Sequence, residues 1–284
     1  MPSRTARATA TMCRARGSPI IRPSSPPSRR GARAGEFNSL QAQREACEPR
    51  TRKLGVLVAA CVRLERAGFR PVPHVAVRRL ASFTQANDFF RRVAFEANVR
   101  KALIIGGDSE RPVGPFHDSL DLLATGVVER NGFDEVAFAG YPEGHPRIAS
   151  PTLDSMMEAK AASAKQRGVA MSLVTQFGFD AEAIHRWIAT LRARGLVCPV
   201  RIGLAGPASV ATLAKFAFRC GIGSSLRALA RGQTAFARIL VEATPDPLIT
   251  ALVAGEYRGA LIDGLHIFTF GGVRHTAEWI RSVI

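Results

Sequence analysis

From Leu54 onward, apolar residues follow two alternating rhythms. Apolar positions at three- and four-residue spacing predict helices over Leu54–Gly68, Thr84–Val99, Asp118–Gly132, Leu153–Gly168, Ala181–Gly195, Ser209–Gly221 and Val273–Val283. Two further helical stretches are read between about Ser224 and Ala254. Between the helices lie short, solid apolar runs, which predict strands over Pro71–Val77, Lys101–Gly107, Glu135–Gly140, Met171–Gln176, Pro199–Leu204 and Gly264–Phe270. Regular alternation of such strands with helices implies a parallel sheet covered by helices. An open doubly wound sheet and a closed barrel both accommodate it. No GxGxxG follows a first strand, which argues against the dinucleotide-binding open sheet. The expected fold is therefore α/β, either another open sheet or a TIM (β/α)8 barrel, of whose eight strands only about six are recognisable.

Residues 1–53 have no such rhythm. They are rich in Arg, Ser and Pro and carry eleven Arg and one Lys against three Glu, a net of +9 out of the chain's +16. A segment that cannot bury an apolar face is expected to be a disordered tail. Two other readings are an organelle transit peptide, which such acid-poor, Arg-rich starts resemble, and a start codon placed too far upstream. With much of the excess charge in that tail, the body (residues 54–284) shows no basic stripe interleaved with aromatics and no nucleic-acid-binding motif, so nucleic acid is not the expected partner. No apolar run reaches the roughly 18–20 residues of a membrane span. The five cysteines are scattered and form no CxxC pair, the pattern of reduced thiols. A soluble, cytoplasmic protein is expected, with organellar import only if the tail is a genuine transit peptide.

Candidate chemistry sits where strands end. His74 lies in the first strand, Gly106, Gly107 and Asp108 follow the second, Tyr141 and His145 follow the third, and Gln176 closes the fourth. In a parallel barrel the loops after the strands converge on one face, which hosts the site. Each residue also has a plain structural reading. Asp108 could cap the next segment, the glycines could serve a turn, and His74 could be a core histidine. Phe216 would be core by default. Gln176, an amide in an apolar strand, needs either internal partners or a ligand.

Five segments in order, "PHVAV", "IIGGD", "AGYPEGHP", "VTQFGFD" and "GLAGPAS", resemble the methylenetetrahydrofolate reductase family, in its short form without a regulatory domain. The likeness runs from about Gly55 to the C-terminus and rests mainly on "YPEGHP" and "TQFGFD" together. It implies a (β/α)8 barrel that binds FAD at the C-terminal ends of its strands. It also implies reduction of 5,10-methylenetetrahydrofolate to 5-methyltetrahydrofolate with NADH or NADPH, in one-carbon metabolism and methionine biosynthesis. By position, the resemblance puts His74, Gly106, Gly107, Asp108, Phe116, Ala139, Tyr141 and His145 around the flavin, and Asp154 and Lys160 near its adenosine and pyrophosphate. It puts Gln176 on the pterin, Phe216 and Thr212 on the folate or nicotinamide, and gives Asp108 and Gln176 catalytic roles. A homo-oligomer is a possible assembly.

The family's first strand ends in a glutamate that serves as proton donor, and no counterpart is found here. Glu36 lies 38 residues before His74, whereas the strand, helix, strand and helix between them need about 50–60 residues. The first two strands are thus expected to be absent or replaced, leaving two open sheet edges. Three outcomes follow: a wrongly placed start with a complete true protein, an inactive or truncated flavin- or folate-binding paralogue, or completion by a partner. A folate-linked demethylation or methyl-transfer protein is a further alternative.

Overall fold

The computed structural model describes residues 52–107, 109–220, 222, 244–254 and 262–283. The tail up to Thr51, Glu36, Asp108 and the expected helix from Ser224 lie outside the described residues. Within them, helix α1 (Arg52–Arg66) precedes strand β1 (His74–Ala76), and α2 (Phe83–Ala97) leads to β2 (Lys101–Ile105). Two short helices, α3 (Ser119–Ala124) and α4 (Val127–Arg130), precede β3 (Glu135–Gly140), and α5 (Ser150–Gln166) precedes β4 (Ala170–Phe177). Then come α6 (Ala181–Ala193), β5 (Val200–Ala205), α7 (Val210–Cys220), α8 (Asp246–Ala254), β6 (Ile262–Phe268) and α9 (Val273–Val283).

The element types match the sequence reading, with one break. The expected helix over Asp118–Gly132 is split into α3 and α4, because Gly126 adopts a left-handed conformation (φ 72°) between them. Three helices start at side-chain caps. Ser82 accepts a hydrogen bond from the Gln85 amide at 3.1 Å, and Asp118 and Asp121 form a reciprocal capping box at α3. Asp180, the last residue of "TQFGFD", caps α6 by accepting from the Ala183 amide at 2.9 Å. Each such cap satisfies amides that the first helical turn leaves without partners and contributes about 1 kcal/mol.

All six strands are parallel and form one sheet in chain order, β1 to β6. The register assigns its two faces. Val75, Ala102, Ile104, Val136, Phe138, Leu173, Val200, Ile202 and Leu204 turn outward into one large core shared with the helices. α2 buries Ala86, Phe89, Phe90, Val93, Ala94 and Ala97 along a single stripe in that core. The opposite face carries Leu103, Ala137 and Val174, and also His74, Lys101, Glu135, Arg201 and His266.

The inner face curls as a barrel wall does. Register aligns Arg201 with Val174 and Val174 with Ala139, yet the Arg201 guanidinium lies 4.0 Å from Glu135, two inward positions earlier on β3. Lys101 also pairs with Glu135. Side chains that meet so far off register are a mark of strands tilted around a common interior. Across the other side, His74 of β1 reaches His266 of β6, with ring centroids 5.3 Å apart. No backbone pairing joins β1 to β6 among the described residues, so the curled sheet is not closed. The structure is thus a TIM-like α/β fold with six parallel strands. None of its described helices is long and apolar enough to cross a membrane.

Candidate functional site

The C-terminal ends of β3 and β4 carry the two loops that matter most. β3 leaves the sheet at Gly140, where a Cβ would lie 2.4 Å from the Trp187 ring. Only a glycine lets α6 pack its tryptophan against this strand end. The chain then turns through Tyr141–Gly144, closed by a hydrogen bond from the Gly144 amide to the Tyr141 carbonyl at 3.0 Å. Tyr141 and His145 meet edge to face at 4.9 Å. His145 accepts from the Arg147 amide through Nδ1 at 3.2 Å. Burial, and next the nearby Arg147, hold the His145 imidazole below its ordinary pKa. Burial also pushes the Tyr141 phenol up. Both rings are thus neutral hydrogen-bonding groups near pH 7.

β4 ends in an irregularity. The β4–β5 register slips between Val174 and Phe177, and the Gly203 amide donates to Thr175 Oγ1 at 2.7 Å across the slip. A Cβ at Gly203 would stand 2.3 Å from the Thr175 carbonyl oxygen, so this bulge requires glycine on β5. The slip sends Gln176 toward the end of α7, where its amide donates to the Cys220 carbonyl at 2.7 Å. The polar group flagged by sequence therefore has an internal partner.

The two loops are tied to each other. The Glu143 carboxylate accepts from the Phe179 amide at 3.3 Å. Between the loops lies a narrow cleft, with room for about one water molecule, whose walls include Tyr141, Pro142, Glu143, Gln176, Phe177 and Gly178.

Behind the cleft runs a file of rings. His74 touches His266 at 5.3 Å, His266 touches Phe268 at 4.7 Å, and Phe268 contacts Phe177 at 6.0 Å and Phe270 at 5.7 Å. Phe270 stacks on Phe216 at 4.3 Å. The file connects β1, β6, β4 and α7 through the interior. It places His74 and Phe216 on one continuous aromatic path, although 142 residues separate them in sequence.

The remaining sequence candidates divide. Gly106, Gly107 and Ala139 belong to the strand ends on this side. Gly107 takes a left-handed φ of 92°, and a Cβ there would sit 3.1 Å from that of Ala76, so its glycine serves the turn. Arg78, two residues past β1, donates from its guanidinium to the carbonyls of Ser109 and His117, each at 2.9 Å. Thr212 shares a hydroxyl contact with Ser209 at the start of α7. Three others lie elsewhere. Phe116 is buried in the core between sheet and helices. Asp154 pairs with Arg194, just past the end of α6. Lys160 lies over the Phe138 ring at 5.4 Å, on the outer face of the sheet, with burial lowering its pKa. Asp108 lies outside the described residues.

The strand ends on this side thus gather aromatic rings, a tyrosine, a histidine and glycine turns. Asp154 and Lys160, which the resemblance assigns to the adenosine end, pair with Arg194 and lie over the Phe138 ring respectively. Glu143 was not singled out from sequence, because a glutamate between proline and glycine reads as a solvated turn. Among the described residues no group of three or more His, Cys, Asp or Glu side chains could hold a metal ion. No protein-family model matches the chain.

Proposed function

We propose that this chain is a flavin-dependent reductase of the methylenetetrahydrofolate reductase type, a (β/α)8-barrel relative acting in the cytoplasm. It converts 5,10-methylenetetrahydrofolate to 5-methyltetrahydrofolate at the expense of NADH or NADPH. The observation that carries this reading is convergence. Tyr141 and His145 after β3, Gln176 at the end of β4 and Phe216 on α7 gather at one end of a curled parallel sheet, where such folds hold their ligands. FAD, when bound, supplies hydride transfer between the two substrates. The residues of the chain bind and orient. Tyr141 and His145 offer neutral polar edges to the cofactor, and Gln176 can donate and accept at once, which suits a pterin edge. Phe216 offers a face to a planar ring.

A second reading is a flavin- or folate-binding protein without turnover. It is favoured by the engagement of Gln176 with Cys220 and the stacking of Phe216 on Phe270, which occupy both groups internally. Product analysis separates the two. The reductase reading expects 5-methyltetrahydrofolate to accumulate only when the chain, FAD, reduced nicotinamide and methylenetetrahydrofolate are all present. Tight FAD uptake with no product supports the second reading, absence of FAD uptake sinks the first, and absence of both FAD and folate uptake sinks both.

A further inference from the structure

The Glu143–Phe179 hydrogen bond spans the two segments whose joint occurrence carries the family resemblance, "YPEGHP" and "TQFGFD". It is a long-range contact, between residues 36 apart in sequence, and it crosses the cleft itself. The space around it is reserved. A Cβ at Gly178 would stand 2.8 Å from the Glu143 carboxylate oxygen, so the glycine of "FGF" leaves room for that oxygen. Gly178 has no left-handed φ, so its turn does not by itself demand glycine. On the far side, Glu143 belongs to the turn closed by the Gly144 amide on Tyr141, next to the Arg147 amide on His145. At 3.3 Å the bond is long, and its acceptor is a carboxylate.

We propose that Glu143 is a positioning residue that clasps the two loops, so that the Tyr141–His145 turn and the Gln176–Asp180 turn move as one unit around the cleft. Naming a flavin as the ligand it positions rests on the reading above. The coupling itself does not.

Hydrogen exchange and FAD titration on the full chain test the two parts separately. Glu143→Ala removes the acceptor, and Gly178→Ala displaces it from the other loop. Each is expected to speed exchange of the Phe179 amide by about tenfold. Each is also expected to speed exchange of the Gly144 and Arg147 amides on the opposite turn. The double variant is expected to be no worse than either single one, because both act on one contact. Glu143→Gln, which keeps an acceptor oxygen, is expected to lie between the wild type and Glu143→Ala. FAD is expected to bind about tenfold more weakly to Glu143→Ala, with Glu143→Gln closer to the wild type. Unchanged Phe179 exchange, additive effects, or a response confined to one loop would each overturn the clasp. A confirmed clasp with unchanged FAD affinity would overturn its role in positioning the ligand. A wild type that takes up no FAD would remove the flavin reading, and the exchange pattern alone would then decide the clasp.

Discussion

The imidazole rings of His74 and His266 lie 5.3 Å apart, although β1 and β6, which carry them, are the two edges of the sheet. The contact bridges the two edges through side chains, where no backbone pairing joins them among the described residues. It brings two titratable groups inside, where His266 feels the charges of Arg201 of β5 and Lys101 of β2, and Lys101 pairs with Glu135 of β3.

That contact makes stability acid-sensitive. Burial lowers His74 to about 4 and His266 to about 3, with His74, Arg201 and Lys101 adding to the effect at His266. In the unfolded chain both titrate near 6.5. Between these values the unfolded state binds more protons, so the contribution is fully present above about pH 6.5 and is lost as pH falls toward 4 and then 3. The loss approaches about 3 kcal/mol for His74. Urea midpoints taken from pH 7.5 to pH 4.5 should fall more steeply for the wild type than for His74→Leu/His266→Leu. Parallel curves would contradict it.

Two glycines should respond in opposite directions. Gly203→Ala places a methyl group against the Thr175 carbonyl oxygen and should cost about 3 kcal/mol or prevent folding. Gly55→Ala, inside α1 with nothing within 4 Å of the new Cβ, should stabilise by about 0.5–1 kcal/mol. Thermal denaturation of the pair checks both signs.

Lys160 and Asp154 separate the observed packing from the family pattern. If Lys160 acts against Phe138, Lys160→Met should lower stability by about 1 kcal/mol. It and Asp154→Asn should leave FAD affinity within about twofold of the wild type. A loss of tenfold or more in a binding titration would return these residues to the cofactor.

Gln176→Leu removes a hydrogen bond to the Cys220 carbonyl and should cost about 1 kcal/mol of stability. Under the proposed function it should also raise KM for methylenetetrahydrofolate while leaving the reaction of reduced nicotinamide unchanged. Equal slowing of both half-reactions would point to a structural role alone.

Much of the fold was legible because its signals are local. β3 runs over Glu135–Gly140 and α9 over Val273–Val283, as the apolar pattern reads them. The break at Gly126 was not legible, since a glycine inside a helical pattern is tolerated more often than it interrupts. The site was harder, for a different reason. A strand-end polar residue announces itself, but its partner does not. Gln176 reads as a ligand group until the Cys220 carbonyl, 44 residues away, is seen to accept from it. His74 reads as core or cofactor contact, and its meeting with His266 depends on the curl of the whole sheet. Asp154 and Lys160 sit on α5 as expected, but the sequence does not say which way they face.

The visible spectrum of the purified full chain with FAD, recorded anaerobically, is the most direct test of the proposed function. The account predicts a bound-flavin absorbance that bleaches on addition of NADH or NADPH and returns on addition of methylenetetrahydrofolate. A colourless protein that takes up no FAD, or a bound flavin that neither reductant bleaches, would contradict it.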